Sequence, residues 1–369
     1  MVRCVMSRTI LFVCLATVLF IIRSPRAEAA AAIRGPALNA RASVPEPPKW
    51  RPDQVIVKFN DANDANTVEV VIAQHECVHL HTCDAGGCHL LQIPESRTPE
   101  DMVADFLEHE SVEYAELNHV VRLFFVPDDP YFSYQWDLHD AATGGIDMEA
   151  AWDITKGDPN VIVAVIDTGV AYETYDVYKQ APDLVWTHFV AGYDFVNDDS
   201  HPNDDNGHGT HVTGTLAQST NNALGVAGIA FDCSIMPVKV MDATGEGDYF
   251  TISQGIYFAA NHGAKVINMS LGADSASTTL QNALAYAYQK GVTIVCAAGN
   301  EYESGNAPDY PAAYDAYCIA VGATRYDKQR ADYSNTGSYL DVVAPGGDME
   351  VDQNNDGYPD GIVQQTFSL

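Results

Sequence analysis

The sequence predicts an α/β fold in which a mostly parallel sheet has helices on both faces. Six short runs beyond residue 130 are almost entirely apolar, which is typical of strands buried on both sides. They are residues 161–166, 235–241, 266–269, 292–295, 318–321 and 342–343. Helical patterns at about 249–261 and 278–290 lie between them, each ending near a glycine. Alternating buried strands and helices indicate parallel pairing with crossover helices.

A smaller domain is predicted to precede this sheet, over residues 50–126. Strands are expected at 54–59, 90–93 and 119–125, and a helix at 99–108 with Pro99 near its start. The order strand–helix–strand–strand–helix–strand over about 75 residues indicates a small α+β domain of the ferredoxin-like type. The larger domain is therefore assigned to residues 127–369.

The N-terminus has the features of a secretory signal. Arg3 and Arg8 precede a run of 14 apolar residues, 9–22, and Ala27-Glu28-Ala29 supplies a small-x-small cleavage pattern. That run is shorter than the ~20 residues of a membrane-spanning helix. We therefore expect a signal peptide at 1–29, an Ala/Pro-rich linker at 30–49, and an extracellular protein with no membrane attachment after signal removal.

The charge balance excludes some partners. With 19 Lys and Arg against 50 Asp and Glu, the formal charge is −31, so nucleic acids and anionic membranes would be repelled. The acidity has two explanations that remain open, solubility and metal binding. A monomer is expected.

Polar side chains follow the ends of several predicted strands. Asp167, Ser270 and Asn300 each come directly after or close behind an apolar run, and His208 opens a helical segment between glycines. The carboxyl ends of parallel strands meet at one edge of a sheet, where ligands bind. A carboxylate, an imidazole and an amide at one edge suit an orienting acid, a general base and an oxyanion donor.

Four motifs in this order resemble the subtilisin family of serine proteases. They are Asp167-Thr168-Gly169, Gly207-His208-Gly209-Thr210-His211-Val212, Asn268-Met269-Ser270-Leu271-Gly272 and Ala297-Ala298-Gly299-Asn300. The resemblance covers residue 131 onward. It implies a subtilisin-like fold and a secreted serine endopeptidase that hydrolyses polypeptide substrates through an Asp-His-Ser mechanism. Asp167 would orient the imidazole, His208 would be the general base, and Asn300 would donate to the oxyanion, whereas His211 is expected to be structural.

The same resemblance implies a peptide-binding cleft. Ser270, Leu271 and Gly272, together with Gly245 and Gly247, are similar to the two edge strands between which these enzymes hold an extended peptide. Ordinary turn glycines are the alternative for the glycine positions.

Two acidic loops are candidate calcium sites. Residues 194–203 resemble a calcium loop of thermitase-like members, with oxygen ligands at Asp194, Asn197, Asp199 and Asn203; a solvated acidic loop is the alternative. Residues 352–360 follow the spacing of an EF-hand loop. Its ligands would be Asp352, Asn354, Asp356 and Asp360, but Val363 stands where such a loop has a bidentate Glu.

The smaller domain resembles the inhibitory propeptide of these zymogens, which implies an intramolecular inhibitor cleaved off near 120–129. Seven His and Cys residues crowd into residues 75–89: His75, Cys77, His79, His81, Cys83, Cys88 and His89. Zinc, or a disulfide with strand histidines, would account for them. Cys296 and Cys318 are expected to be neighbours in the sheet, either bridged or packed in the core.

The nucleophile is missing from the motifs. The family's Gly-Thr-Ser-Met-Ala segment does not occur in this sequence. Ser334 matches a structural turn, Ser270 belongs to the substrate strand, and Ser368 has no glycine frame or helix to place it. Residues 341–346 are similar to the strand that precedes that segment. We therefore expect the catalytic serine to lie beyond Leu369 and this chain to be inactive by itself. An inactive, peptide-binding pseudoprotease is the alternative; an aspartic protease is excluded because a second Asp-Thr-Gly is absent.

Overall fold

The computed structural model describes residues 49–60, 65–83, 85–121, 125–139 and 141–367. They fall into two compact units, one within Ala42–Leu123 and one within Phe124–Leu369. The expected signal peptide, nearly all of the expected linker, and Ser368 lie outside the described residues. In the described part of the chain, no helix has the length and apolar character needed to cross a bilayer.

The smaller unit is an α+β domain with a four-stranded antiparallel sheet. Its elements are β1 (Trp50–Phe59), α1 (Ala65–Gln74), β2 (Val78–Cys83), β3 (Cys88–Gln92), α2 (Pro99–Leu107) and β4 (Val112–His119). The strand order is β2-β3-β1-β4, and all pairs are antiparallel. This confirms the predicted small α+β domain.

The helix predicted at 99–108 begins where local capping favours it. The Thr98 hydroxyl accepts a hydrogen bond from the backbone N of Asp101 at 3.2 Å, and Pro99 occupies the first turn. Met102 and Phe106 are buried one helical turn apart and pack with Val57 and Leu91 of the sheet. The domain's core thus consists of apolar faces of α1 and α2 against the inner face of the sheet.

The last strand of this domain is not where the sequence predicted it. The apolar composition of 119–125 indicated a strand, but the strand is β4, Val112–His119, which is more polar. β4 pairs along β1, with Ala115 opposite Val57 and buried on the core face. Residues 122–124 lie outside the described residues, and 120, 121 and 125 are not in a strand. The prediction was wrong for these because an antiparallel strand needs only one buried face, so its cross-strand pairing matters more than how apolar the segment is.

The larger unit is built on an eight-stranded sheet in which every described pair is parallel. Its elements are α3 (Met148–Trp152), β5 (Ile162–Asp167), β6 (His188–Phe189), β7 (Tyr193–Asp194), α4 (His208–Ala217), β8 (Ser234–Lys239), α5 (Tyr249–Asn261), β9 (Val266–Met269), α6 (Thr278–Gln289), β10 (Thr293–Ala297), β11 (Cys318–Thr324) and β12 (Val342–Pro345). The strand order is β12-β11-β10-β9-β5-β8-β6, and β7 also pairs with β8.

Both faces of this sheet are buried, which explains the unbroken apolar runs. Val165 of β5 packs in a core with Leu216 of α4, whereas its neighbour Ile166 packs in a second core with Ile256 of α5 and Leu284 of α6. Successive strand residues point to opposite faces, so a strand between two helical layers needs apolar side chains at every position. The predicted parallel sheet with helices on both faces is confirmed.

Candidate active site

Asp167 and His208 are brought together by the end of a strand and the start of a helix. Asp167 is the last residue of β5 and is fully buried, while His208 is the first residue of α4. The preceding Gly207 has a φ of 110°, which favours glycine. A Cβ on Gly209 would lie 2.2 Å from the carbonyl oxygen of Gly169, so only glycine lets α4 approach the turn after β5 this closely.

The pair is joined by a short hydrogen bond. Nδ1 of His208 lies 2.7 Å from Oδ1 of Asp167. A carboxylate only accepts, so Nδ1 carries the proton and Nε2 of the neutral ring keeps its lone pair. Burial opposes protonation of His208, but the charges of Asp167 and Asp204 outweigh it and raise the pKa of His208 above its usual value. The arrangement suits a general base.

A buried polar network holds the Asp167 turn against the start of α4. Asp204 is 1% exposed, and its carboxylate accepts hydrogen bonds from the Thr168 hydroxyl at 2.9 Å and the Thr210 hydroxyl at 2.6 Å. Nζ of the fully buried Lys239 donates to the Thr168 carbonyl and to Asp205 Oδ1, both at 2.6 Å. Sequence reasoning missed these groups. Lys239 carried a signal, since it is the one cation in the apolar run 235–241.

Ser270 and Asn300 reach the same edge from the two neighbouring strands. β9 pairs in parallel with β5, and β10 pairs in parallel with β9. The carboxyl ends of the three strands therefore lie side by side, and Ser270 and Asn300 follow the ends of β9 and β10 as Asp167 ends β5. Asn300 is partly exposed; its backbone N donates to Glu301 Oε2 at 2.7 Å, and its buried Oδ1 has no partner among the described residues. The topology gathers the acid, the base and the amide donor at one sheet edge.

Two carboxylates that were not predicted from the sequence lie beside Gly272 of the predicted substrate strand and Gly299 of the motif that contains Asn300. A Cβ on Gly272 would lie 2.3 Å from Oδ2 of Asp309, and a Cβ on Gly299 would lie 2.7 Å from Oε2 of Glu301. Burial, together with the charge of Glu301, raises the pKa of Asp309 to about 7. These glycines leave room for carboxylates that only the tertiary fold brings there.

The other predicted cleft segment forms a tight loop. Met241 and Gly247 form an antiparallel bridge, and the backbone N of Gly245, at a φ of 79°, donates to the Asp242 carbonyl at 2.9 Å. Gly245 therefore has a turn role whether or not a peptide binds beside it. A Cβ on Gly247 would lie 2.7 Å from the Val240 carbonyl, so close backbone approach also requires glycine there.

The structure brings the four predicted ligands of the first acidic loop only partly together. Asp194 is 2% exposed; its Oδ1 accepts from the backbone N atoms of Val196 and Asn197, and its Oδ2 accepts from Asn197 Nδ2 at 2.9 Å. Asp199 pairs with Asp194 through backbone atoms. Asn203 instead donates to Glu173 Oε1 at 3.1 Å, while its own buried Oδ1 has no partner among the described residues. That unpartnered oxygen fits a hard cation.

The second acidic loop folds around Asp360. Asp352 accepts from the backbone N atoms of Asp356 and Gly357, and Asn354 Oδ1 also accepts from the backbone N of Asp356. Asp360 is 1% exposed, and its Oδ1 is buried without a partner in the described part of the chain. Burial, reinforced by the charges of Asp352 and Asp356, raises the pKa of Asp360. The donor set fits Ca²⁺, which would neutralise this repulsion.

Another pair of buried carboxylates, Asp129 and Asp183, was not predicted from the sequence. Asp129 accepts from the backbone N atoms of Asn221 and Asn222, and Asp183 accepts from Asn222 Nδ2 at 2.7 Å. Burial, with repulsion from Asp129, raises the pKa of Asp183 to about 7. Nevertheless, nowhere in the described ranges do three or more His, Cys, Asp or Glu side chains already stand together as a metal site.

The remaining histidine, serine and cysteine candidates have structural surroundings. His211 is partly buried, and desolvation of its ring lowers its pKa to about 3, so the ring is neutral. Ser334 Oγ is 3.4 Å from the Asn335 carbonyl and accepts from the backbone N of Ala323, deep in the fold. Cys296 and Cys318 lie on paired strands, two residues out of register, in one core cluster and without a disulfide between them.

Fold and site together define a parallel α/β protein with a carboxylate–imidazole pair at the sheet's carboxyl edge, preceded by a small α+β domain. The sequence profile of the Subtilase family, Peptidase S8, matches residues 158–366, and that of the Fervidolysin N-terminal prodomain matches residues 36–118. The chain therefore belongs to the subtilase family of serine proteases, and its N-terminal region is similar to a subtilase prodomain.

Individual relatives agree with this assignment. The chain is 43% identical over 240 residues to the thermophilic serine proteinase of Bacillus sp. strain AK1, covering 64% of this chain and 56% of that protein. It is 42% identical over 223 residues to thermitase of Thermoactinomyces vulgaris, covering 60% of this chain and 74% of that protein. It is 33% identical over 319 residues to the halolysin-like extracellular serine protease Nep of Natrialba magadii, covering 84% of this chain and 57% of that protein.

A solved structure shares the fold. A protease of Pseudoalteromonas arctica superimposes with a TM-score of 0.54 at 30% identity, covering 66% of this chain and 80% of that one. The chain thus spans little more than half the length of the AK1 proteinase and of the halolysin-like protease.

Proposed function

We propose that the chain is part of the precursor of a secreted serine endopeptidase that hydrolyses peptide bonds in proteins. The observation that carries the proposal is the 2.7 Å hydrogen bond between His208 Nδ1 and Asp167 Oδ1 at the carboxyl edge of the sheet. The exported, extracellular location rests on the signal-like residues 1–29.

In the proposed reaction, Nε2 of His208 removes the proton from a serine hydroxyl as that hydroxyl attacks the scissile carbonyl. Asp167 keeps the ring in the required tautomer and stabilises the imidazolium that forms. The side-chain amide of Asn300 donates to the developing oxyanion, and loss of such a contact costs about 2.7–4 kcal/mol of transition-state stabilisation. His208 then returns the proton to the leaving amine.

We propose that this serine is not one of the described serines. Among the described residues, His208 has no hydrogen bond to a serine; Ser270 Oγ accepts from Asn268 Nδ2, and Ser334 is 1% exposed within the fold. The cleft would bind an extended peptide along 270–272 and beside the loop of Gly245 and Gly247.

A chimera tests the proposal. The full chain is joined to the segment of thermitase that follows the matched region, and casein hydrolysis and fluorophosphonate labelling are measured. Both activities are expected in the chimera, neither in the chain alone, and neither in the chimera carrying His208→Ala. Stoichiometric labelling of the chain alone would place the nucleophile within it. A folded but inert chimera would contradict the protease mechanism and favour peptide binding without catalysis.

The prodomain-like region suggests regulation. We propose that residues 50–126 act as an intramolecular inhibitor that is removed by cleavage near 120–129, which makes the precursor a zymogen. Adding the separately produced prodomain to the processed chimera should inhibit casein hydrolysis, whereas an equal concentration of unfolded prodomain should not.

Calcium is the proposed structural ion. Asp194, Asn197, Asp199 and Asn203 would hold one ion, and Asp352, Asn354, Asp356 and Asp360 another. The support is the unpartnered buried oxygen in each loop, Asn203 Oδ1 and Asp360 Oδ1. Bound Ca²⁺ would supply charge neutralisation that fixes these loops and would take no part in the chemistry.

A further inference from the structure

The hairpin of β2 and β3 brings two imidazole nitrogens and one hydroxyl into contact. Nε2 of His79 lies 3.2 Å from Nδ1 of His89, and Oγ1 of Thr82 lies 2.9 Å from the first and 3.3 Å from the second. The three polar atoms therefore form a nearly equilateral triangle. The motifs and the proposed function leave this cluster unused.

A bulge in β2 creates the triangle. His79 is opposite Leu91 and Thr82 is opposite His89, while the register shifts between His79 and His81. Without that shift, residues 79 and 82 would point to opposite faces of the strand. The extra residue places both on the sheet face that carries the fully buried Leu91.

The same register separates the histidine pair from the thiols. Cys83 is opposite Cys88 at the tip of the hairpin, one residue beyond the Thr82–His89 pair, and His81 is opposite Leu90. Successive strand residues alternate between faces. Both thiols and His81 are therefore on the opposite face, so the hairpin has the nitrogen–oxygen cluster on one face and the pair of thiols on the other.

Hydrogen bonding alone satisfies the triangle poorly. Each nitrogen of a neutral imidazole either donates a hydrogen bond or accepts one. The two ring nitrogens and the hydroxyl therefore cannot all be joined by separate hydrogen bonds, because one N–H would have to be shared between two acceptors. The ring of Phe59 packs edge-on against His89, with centroids 5.5 Å apart, and limits its rotation.

The spacing suits a metal ion. Zn²⁺ binds imidazole nitrogen at 2.0–2.1 Å, so two nitrogens of a tetrahedral site are about 3.4 Å apart. The observed 3.2 Å differs from this by only a small ring movement. Imidazole is a preferred ligand for Zn²⁺, Cu²⁺ and Ni²⁺. His79 is exposed, which gives water access to the remaining coordination positions.

We propose that His79 and His89, with Thr82 beside them, form a binding site for a divalent transition-metal ion such as Zn²⁺. The ion joins the edge strand β2 to β3 and so stabilises the free edge of the four-stranded sheet. This site is independent of the proposed protease function and involves neither calcium loop.

Titration calorimetry of the full chain with Zn²⁺, in excess Ca²⁺ and a phosphine reductant, tests the site. His79→Gln and His89→Asn keep a hydrogen-bonding atom near the position of the lost nitrogen but remove the imidazole ligand. Each variant is expected to bind Zn²⁺ at this site at least about tenfold more weakly than the unchanged chain. The matched control His81→Gln and the double variant Cys83→Ser/Cys88→Ser are expected to bind as the unchanged chain does.

Two results would overturn the proposal. One is equal Zn²⁺ binding by the His79 and His89 variants and the unchanged chain; the other is loss of binding in the thiol variant instead. A measurement on the unchanged chain guards against misfolded variants. Electron paramagnetic resonance of bound Cu²⁺ should show coupling to two ring nitrogens, and a spectrum without nitrogen coupling at one equivalent contradicts the site.

Discussion

Nδ1 of His208 donates a hydrogen bond to Oδ1 of Asp167 across 2.7 Å, and the carboxylate that accepts it is completely buried. Oδ1 also accepts the backbone N–H of Thr168 at 2.7 Å, whereas Oδ2 is buried and has no partner among the described residues. An incompletely satisfied buried carboxylate interacts strongly with an adjacent cation, because little solvent screens the pair. Burial lowers the pKa of His208, and the contact with Asp167 is the chief influence that raises it.

Replacing Asp167 with Asn should lower the pKa of His208. The charge that favours the imidazolium disappears while burial, which opposes it, remains, so the pKa should fall below the usual value of about 6.5. The amide can also donate to Nδ1 and favour the tautomer that lacks a basic Nε2. NMR titration of the labelled imidazole in the full chain measures both effects.

The exposed Asp315→Asn is the control and should leave the pKa of His208 unchanged. Stability provides a second readout. A raised His208 pKa in the folded state contributes stability that is complete below the unfolded pKa and is lost as pH rises through the folded one. Asp167→Asn should remove that decline, and an unaltered decline would contradict the assigned coupling.

Lys239→Met should destabilise the larger unit. Lys239 is fully buried, and its ammonium group donates to the carbonyls of Thr168 and Met241 and to Asp205. Methionine fits the space but leaves these acceptors unsatisfied, and loss of one partner from a buried pair costs about 3–5 kcal/mol, less here because Asp205 is partly exposed. Urea unfolding measures the change. The exposed Lys265→Met is the matched control, and an equally small effect of both would contradict the structural role.

The parts of this molecule that were predictable from sequence depend on local signals. Asp167 and His208 follow apolar or glycine-rich segments whose ends are visible in the chain, and the continuous apolar runs reflect burial on both faces of the sheet. Asp309 and Glu301 were missed because their positions beside Gly272 and Gly299 arise only when distant loops meet. The strand expected at 119–125 failed for a related reason, since the edge pairing of Val112–His119 is a long-range property.

Asp137→Asn should change how stability depends on pH. Asp137 is fully buried, neither carboxyl oxygen has a partner in the described part of the chain, and burial raises its pKa to about 7. In the unfolded chain this group ionises near pH 3.9, so it contributes stability below that pH that is lost as pH rises through about 7. The loss is at most about 4 kcal/mol. Asn does not ionise.

Urea unfolding at several pH values between 4 and 8 measures this difference. The stability of Asp137→Asn relative to the unchanged chain should increase steadily as pH rises from 4 to 7 and then level off. The exposed Asp332→Asn should show no such trend. A constant difference across the range would mean that Asp137 is ionised in the fold throughout and that an unseen partner satisfies it.

Calcium removal should destabilise the larger unit through the two acidic loops. A ligand that binds only the folded state stabilises it by about 2.7 kcal/mol at 100 times its dissociation constant, so a chelator should lower the thermal midpoint. Asp360→Asn and Asp194→Asn should each reduce the chelator's effect, and the double variant should reduce it by the sum, because separate sites act additively. Asp360 should respond strongly, because its buried Oδ1 lacks a partner among the described residues and Asp352 and Asp356 repel its charge.

Calorimetry with Ca²⁺ counts the ions that each variant loses. If both variants respond to chelation as the unchanged chain does, these loops are solvated acidic turns, and the buried pair Asp129 and Asp183 becomes the place to test.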